Sequence, residues 1–90
     1  MATYAKRFEL GQIVVTPGVM DLGIDVGPYL RRHAGGDWGA LDAEDAAQNE
    51  RALVRGERVI SVYTTPAAVT FWVITEADRS VTTLMLPEEY

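Results

Sequence analysis

The chain has 90 residues, no cysteine, a net charge of −5 and a hydrophobic share of 48%, the proportions of one small globular domain with a single core. Without cysteine there is no disulfide scaffold, zinc knuckle or thiol nucleophile, and the acidic balance argues against direct nucleic-acid binding, which needs Lys and Arg to displace counterions from phosphates. No apolar run has signal-peptide or membrane-spanning length, so a cytoplasmic protein without membrane association is expected.

In chain order, "FELGQIVVT" mixes aromatic and β-branched residues and predicts a first strand, Phe8 to Thr16. Thr16 as cap and Pro17 at the first helical position predict a short helix through Leu22, ended by Gly23. Asp25 is a second cap candidate and leads "VGPYLRRHA" into another short helix stopped by Gly35 and Gly36. The clearest helix is "LDAEDAAQNERALVRG": Asp42 is a strong N-cap, Glu44 and Asp45 complement the dipole in the first turn, Arg51 and Arg55 come late, and Gly56 suits a left-handed C-terminal turn. Ala43, Ala46, Ala47, Leu53 and Val54 approximate its apolar stripe.

Beyond Gly56 the period changes to two. "RVISVYTT", "AVTFWVITE" and "SVTTLML" predict three strands in a meander, joined by turns at "TTPAA" and "EADRS". The "FWVI" run is apolar on both sides and belongs at the centre of the sheet. The expectation is one α+β domain over residues 1–90, a small antiparallel sheet of about four strands with short helices packed on one face, in the order β-α-α-α-β-β-β.

The charge is unevenly placed. Residues 1–33 carry four basic and three acidic side chains, whereas residues 34–90 carry four basic and ten acidic, so an acidic surface facing a basic protein partner is a natural reading beside simple solubility. Asp37, Trp38, Asp42, Glu44, Asp45, Glu50, Glu76 and Asp78 are the candidate partner contacts. Helix capping and the dipole already account for Asp42, Glu44 and Asp45. Asp37 precedes that helix and Glu50 lies too late in it to serve its N-terminus. Trp38, flanked by glycine, is either a loop anchor in the core or an exposed aromatic contact.

The residues offer little chemistry. "GVMDLGIDVG" lacks the lysine of a phosphate loop and the spacing of a dinucleotide fingerprint. The only histidine, His33, precedes Asp37 by four residues with Gly35 and Gly36 between them, which favours a satisfied helix-end histidine over a ligand or catalytic base. Tyr63, Phe71 and Trp72 lie on strands among Val, Thr and Ile, a core pattern more than a base-stacking one. No cofactor, metal or catalytic residue is expected.

The stretches "FELGQIVVTPGV", "GDWGALDAEDAAQNERAL", "GERVISVYTT" and "WVITEADRSVTTLMLPEEY" resemble a family of small plasmid-related proteins of bacterial plasmids, integrative elements and phages, with "GDWG", "LDAED", "TEADRS-TT" and the closing "P-EY" as the specific pieces. The resemblance implies a mobile-element accessory protein of no established activity and supplies no catalytic residues. In that setting the expected function is non-enzymatic binding, as in anti-restriction or anti-CRISPR inhibitors that use an acidic surface. The alternatives are a self-associating structural or regulatory homo-oligomer using an exposed strand edge, and a small enzyme with a site around His33, Asp37 and Arg79.

Overall fold

The structure, a computed structural model, describes residues 5–90. In chain order it contains β1 (Gln12–Val15), α1 (Pro17–Met20), α2 (Gly27–Ala34), α3 (Ala43–Arg55), β2 (Val59–Thr64), β3 (Thr70–Thr75), β4 (Val81–Met85) and a 3-10 turn at Pro87–Glu89. The α+β class and the order β-α-α-α-β-β-β are as the sequence predicts.

The sheet runs β1-β4-β3-β2. The β2–β3 and β3–β4 pairs are antiparallel, but β1 lies parallel to β4, so the sheet is mixed where an antiparallel one was expected. Connection chemistry explains the difference. The meander strands follow one another through tight turns, whereas three helices separate β1 from β2 and let the chain re-enter the sheet in the same direction; two hairpins later β4 again runs as β1 does. The "FWVI" strand is interior, as its two-sided apolarity requires.

The ladder register sorts the strands into two faces. Val59, Ser61, Tyr63, Phe71, Val73, Thr75, Thr82 and Leu84 share one face, each no more than 1% exposed. The helices deliver their buried residues to it: Val19 joins the cluster of Tyr63, Phe71, Val73 and Leu84, with Tyr29 and Leu30 packed alongside, and Ala52 joins Trp38 and Val59. The opposite face carries Ile60, Val62, Trp72, Ile74, Thr83 and Met85. Side chains rather than a helix roof it: Tyr90 meets Trp72 edge-on at 5.5 Å between centroids, and Arg58 donates to the Tyr90 hydroxyl at 2.7 Å.

Local signals explain the element ends. Asp42 Oδ1 accepts the Asp45 N–H at 2.8 Å and Gly56 closes α3 at φ 72°, so both caps of this helix are as expected. Asp25 Oδ1 takes the Gly27 N–H at 3.0 Å, but the N-cap of α2 is Val26, with no side-chain cap, so Asp25, expected as the cap, forms an Asx turn one residue ahead of it. Thr16 does not cap α1; its hydroxyl donates to Glu89 Oε1 at 2.6 Å, and Glu89 also accepts from the backbone N–H of Gly18 and Leu86, fastening the segment after β4 to the start of α1. The first strand is shorter than the predicted Phe8–Thr16. At Gly11 the backbone takes φ 66° and a Cβ there would meet the Ser80 carbonyl, so Phe8 to Leu10 leave the ladder and Phe8 packs on His33 and Trp38 instead.

Candidate functional site

His33, on α2, is completely buried. Its Nδ1 lies 2.5 Å from Ser61 Oγ and its Nε2 2.8 Å from Thr75 Oγ1. Thr75 Oγ1 is 2.7 Å from Thr82 Oγ1, which donates to the Leu10 carbonyl at 2.7 Å. A hydroxyl has one proton, so the order follows: Thr82 gives its own to Leu10, accepts from Thr75, and Thr75 accepts from His33 Nε2–H, leaving Nδ1 to accept from Ser61. A neutral imidazole satisfies every member. Burial, with the positive charge of Arg79 as a smaller cause, lowers the His33 pKa to about 3. This histidine ties α2 to β2, β3 and, through Thr82 on β4, to Leu10 ahead of β1.

Asp37 does not meet His33. Its carboxylate accepts from Arg32 Nε at 2.9 Å and from the Gly39 N–H at 3.2 Å. Arg79 donates to the carbonyls of Glu57 and Glu76 and lies over Phe8, the ring packed on His33, so it reaches the imidazole through its charge and not through a hydrogen bond. The three residues named for an enzymatic site therefore have separate partners.

Trp38 is 6% exposed, which makes it the loop-to-core anchor and corrects the reading of it as an exposed contact. The glycine after it explains how: Gly39 sits at φ 76° with its Cα against the Val62 carbonyl, where a Cβ would clash with backbone, and this close approach seats the indole against both Phe8 and His33. Its Nε1 donates to Glu50 Oε2 at 3.0 Å. Glu50 in turn receives both Nη groups of Arg7, at 3.0 and 2.7 Å, and these hydrogen bonds above all hold its carboxyl below the usual glutamate range. Asp37 and Glu50, the two carboxylates that helix formation leaves unexplained, are thus both paired with arginines of the same chain, Glu50 at the surface.

The remaining acidic candidates do not form one face. Asp42 is occupied as a cap, with Glu44 and Asp45 exposed in the first turn of α3. Glu76 and Asp78 lie in the β3–β4 turn, which Arg79 pins to Glu57, beyond the other end of α3. A helix of 13 residues, about 20 Å long, separates the two groups. Asp78 is engaged within its turn, accepting from the Ser80 hydroxyl and N–H; the hydroxyl bond is the larger cause of its lowered pKa.

What sequence reasoning missed lies along α3. The inward residues of this helix are Ala46, Asn49, Ala52 and Leu53, whereas Ala43 and Ala47 are exposed and Val54 is 88% exposed. The centre of the stripe is polar: Asn49 donates from Nδ2 to the Ile60 carbonyl at 2.7 Å and accepts the Ile60 N–H at Oδ1, 3.2 Å. An apolar count cannot register a buried amide that acts as a piece of β-strand. With α3 set against the edge of β2, a cavity of about 490 Å³ opens between helix and sheet. Ile60, Val62 and Trp72 supply apolar lining, Asp45 and Gln48 come from the helix, and Glu57 joins from beyond its end. The two-residue period of "RVISVYTT" does put Ile60 and Val62 together on one face, but only the position of α3 turns that face into a groove.

Comparison of the chain with family models, with curated proteins and with solved structures finds no match. Among the described residues there is no group of three or more His, Cys, Asp or Glu side chains able to hold a metal ion, and no helix long and apolar enough to cross a membrane.

Proposed function

We propose that this protein is a non-catalytic binding domain that takes up a segment of a protein partner in the groove between α3 and the sheet, the segment carrying basic side chains around an apolar anchor. The observation that carries the reading is the composition of that groove. Ile60, Val62 and Trp72 are only half-buried, and Asp45 and Glu57 stand at it as acidic groups against one cation, Arg58, which is engaged with Tyr90, with Glu44 exposed in the same first turn as Asp45. Carboxylates beside an apolar floor complement a cationic, amphipathic segment, the floor providing burial and the charges orientation and approach rate. The volume also lies in the range of ordinary ligand sites.

The resemblance to plasmid-related proteins supplies the biological setting. In a mobile element, a small acidic domain of this kind is suited to occupy a basic, nucleic-acid-binding surface of a restriction or CRISPR enzyme, and we place its function in that anti-defence class. A site at His33 draws no support from the geometry, since both ring nitrogens are committed to Ser61 and Thr75.

The test is capture of a partner from host lysate, followed by titration with purified partner. Val62→Asp, which puts a charge on the floor, is expected to abolish binding, and Asp45→Lys with Glu57→Lys to weaken it at least tenfold, with the wild-type affinity falling as salt rises. Both variants should retain wild-type melting. A partner bound equally well by all three proteins, with no salt dependence, would place the contact outside this groove.

A further inference from the structure

The two edges of the sheet are treated differently. At β2, every outward backbone group of Ile60 and Val62 has a partner: Asn49 takes both groups of Ile60, the Val62 N–H donates to the Trp38 carbonyl at 3.1 Å, and the Val62 carbonyl accepts from Ala40 N–H at 2.7 Å. At β1 the described residues provide no such cover. Gln12 and Thr16 direct their N–H groups to Ser80 and Leu84 on the β4 side, so by the alternation of a strand Ile13 and Val15 direct theirs outward, where no described residue bonds to them. Natural sheets blunt an open edge with lysine, proline, a bulge or a covering segment. Here the edge strand reads "QIVV", with Ile13 39% and Val14 38% exposed.

We infer that two copies of this chain associate through the free edges of β1, antiparallel about a two-fold axis at Val14, joining two four-stranded sheets into one of eight strands. Charge permits a second copy at this edge, and the register favours one. The chain carries −5 overall, so two copies repel unless they meet on a neutral surface, and Leu10 to Met20 contains no charged residue. That stretch also holds Met20, 67% exposed. The register is self-complementary. Ile13 faces Val15 of the second copy and Val15 faces its Ile13, each pair exchanging two hydrogen bonds, while Val14 meets Val14 across the axis at a non-hydrogen-bonded position, where side chains approach closest. An isologous contact of this kind closes after two copies. The edge is short, so the dimer is expected to dissociate on dilution.

The test uses the full chain, in which the absence of cysteine allows single thiols to report position. By light scattering after size-exclusion chromatography, the wild-type mass should rise from one chain to two with concentration. Ile13→Pro should remain monomeric and folded in dilute solution, because the N–H it removes points outward, which a monomeric edge strand tolerates, with a melt lowered only as far as the lost part of the Ile13 side chain requires. Under oxidising conditions Val14→Cys should cross-link into a covalent dimer, since facing residues at such a position are about 4.5 Å apart at Cα. Gln12→Cys should not, because two residues from the axis on each side is a separation of about 13 Å. A monomeric mass for the wild type at every concentration, or Gln12→Cys cross-linking as readily as Val14→Cys, would overturn the inference. Neither readout depends on the groove partner, so this result and the proposed function stand or fall separately.

Discussion

The indole N–H of Trp38 and the guanidinium of Arg7 converge on Glu50, the former at 3.0 Å from Oε2 and the latter through two hydrogen bonds. One carboxylate thus ties the segment before β1 and the loop before α3 to the middle of that helix. Of its contacts the indole matters most for stability. Trp38 is buried, and leaving its N–H without an acceptor costs about 1–3 kcal/mol, whereas an exposed ion pair such as Arg7–Glu50 contributes only fractions of about 1 kcal/mol.

Glu50→Ala should therefore lower unfolding stability by about 1–3 kcal/mol, and Glu50→Gln, which keeps an acceptor for the indole, should cost much less. Urea denaturation followed by tryptophan fluorescence measures both. Equal losses would mean that the ion pair, not the indole, carries the effect. The pH dependence has a definite sign: because the folded state depresses the Glu50 pKa, its contribution is present above the ordinary glutamate value and is lost as pH falls through the depressed one. Glu50→Gln should lack that part of the acid loss.

Asn49 holds α3 against the sheet by imitating a neighbouring strand for Ile60. Asn49→Ala leaves one N–H and one carbonyl of the β2 edge without protein partners, and a loss of about 2 kcal/mol is expected, with groove water offsetting part of the cost. Asp42→Ala, which removes a cap and opens no edge, should cost about 1 kcal/mol. Hydrogen exchange separates the two roles. The Ile60 amide should exchange much faster in Asn49→Ala and little faster in Asp42→Ala, and equal protection at Ile60 in both would refute the strand-like role of Asn49.

Both caps of α3, the turns and the central place of "FWVI" were legible in the sequence because each is decided by residues a few positions apart. Asp42 and Gly56 act within their own helix ends, and strand alternation puts Val59, Ser61 and Tyr63 on one face whatever lies above them. The parallel pairing of β1 with β4 was not legible, since it depends on where the chain re-enters the sheet after three helices. The candidate site was misread for a related reason. Asp37 and Glu50 looked uncompensated because Arg32 and Arg7 compensate them through the fold, the latter from 43 residues away. The Ser61 and Thr75 hydroxyls, buried on an apolar face, were the available sign that His33 had partners in the core.

The β2–β3 turn offers a test of backbone conformation alone. Thr65 accepts the Ala68 N–H at 2.8 Å and donates its own N–H to Val69 at 2.9 Å, which forces Ala68 to φ 64°. A left-handed alanine costs about 1–2 kcal/mol, and glycine removes that cost while giving back about 0.5–1 kcal/mol in unfolded-state entropy. Ala68→Gly should accordingly raise stability by about 0.5–1 kcal/mol, seen as a higher melting temperature. A lower melting temperature would mean that the Ala68 methyl makes contacts worth more than its strain.

His33 sets the strongest expected pH dependence. Its folded pKa, about 3, lies far below the ordinary histidine value of about 6.5, because burial disfavours the charged ring, with the positive charge of Arg79 as a smaller cause. A group whose folded pKa is depressed contributes stability that is fully present above its unfolded value and is lost as pH falls. Below about pH 6.5 the unfolded chain binds a proton that the folded chain refuses, and stability should decline by up to about 1.4 kcal/mol per pH unit. Between pH 6.5 and 5 this slope belongs mainly to His33, since the carboxylates with lowered pKa values, Glu50, Asp78 and Glu89, titrate further toward acid. Urea midpoints across that window should fall in the wild type and stay nearly level in His33→Gln, which removes the titrating group. If the glutamine variant folds poorly, the wild-type imidazole resonance answers the same question: it should not shift between pH 7 and 5. A histidine titrating near 6.5 in the folded protein would show that the ring is hydrated or able to turn, and that the hydroxyl chain from Ser61 to Thr82 does not hold it neutral.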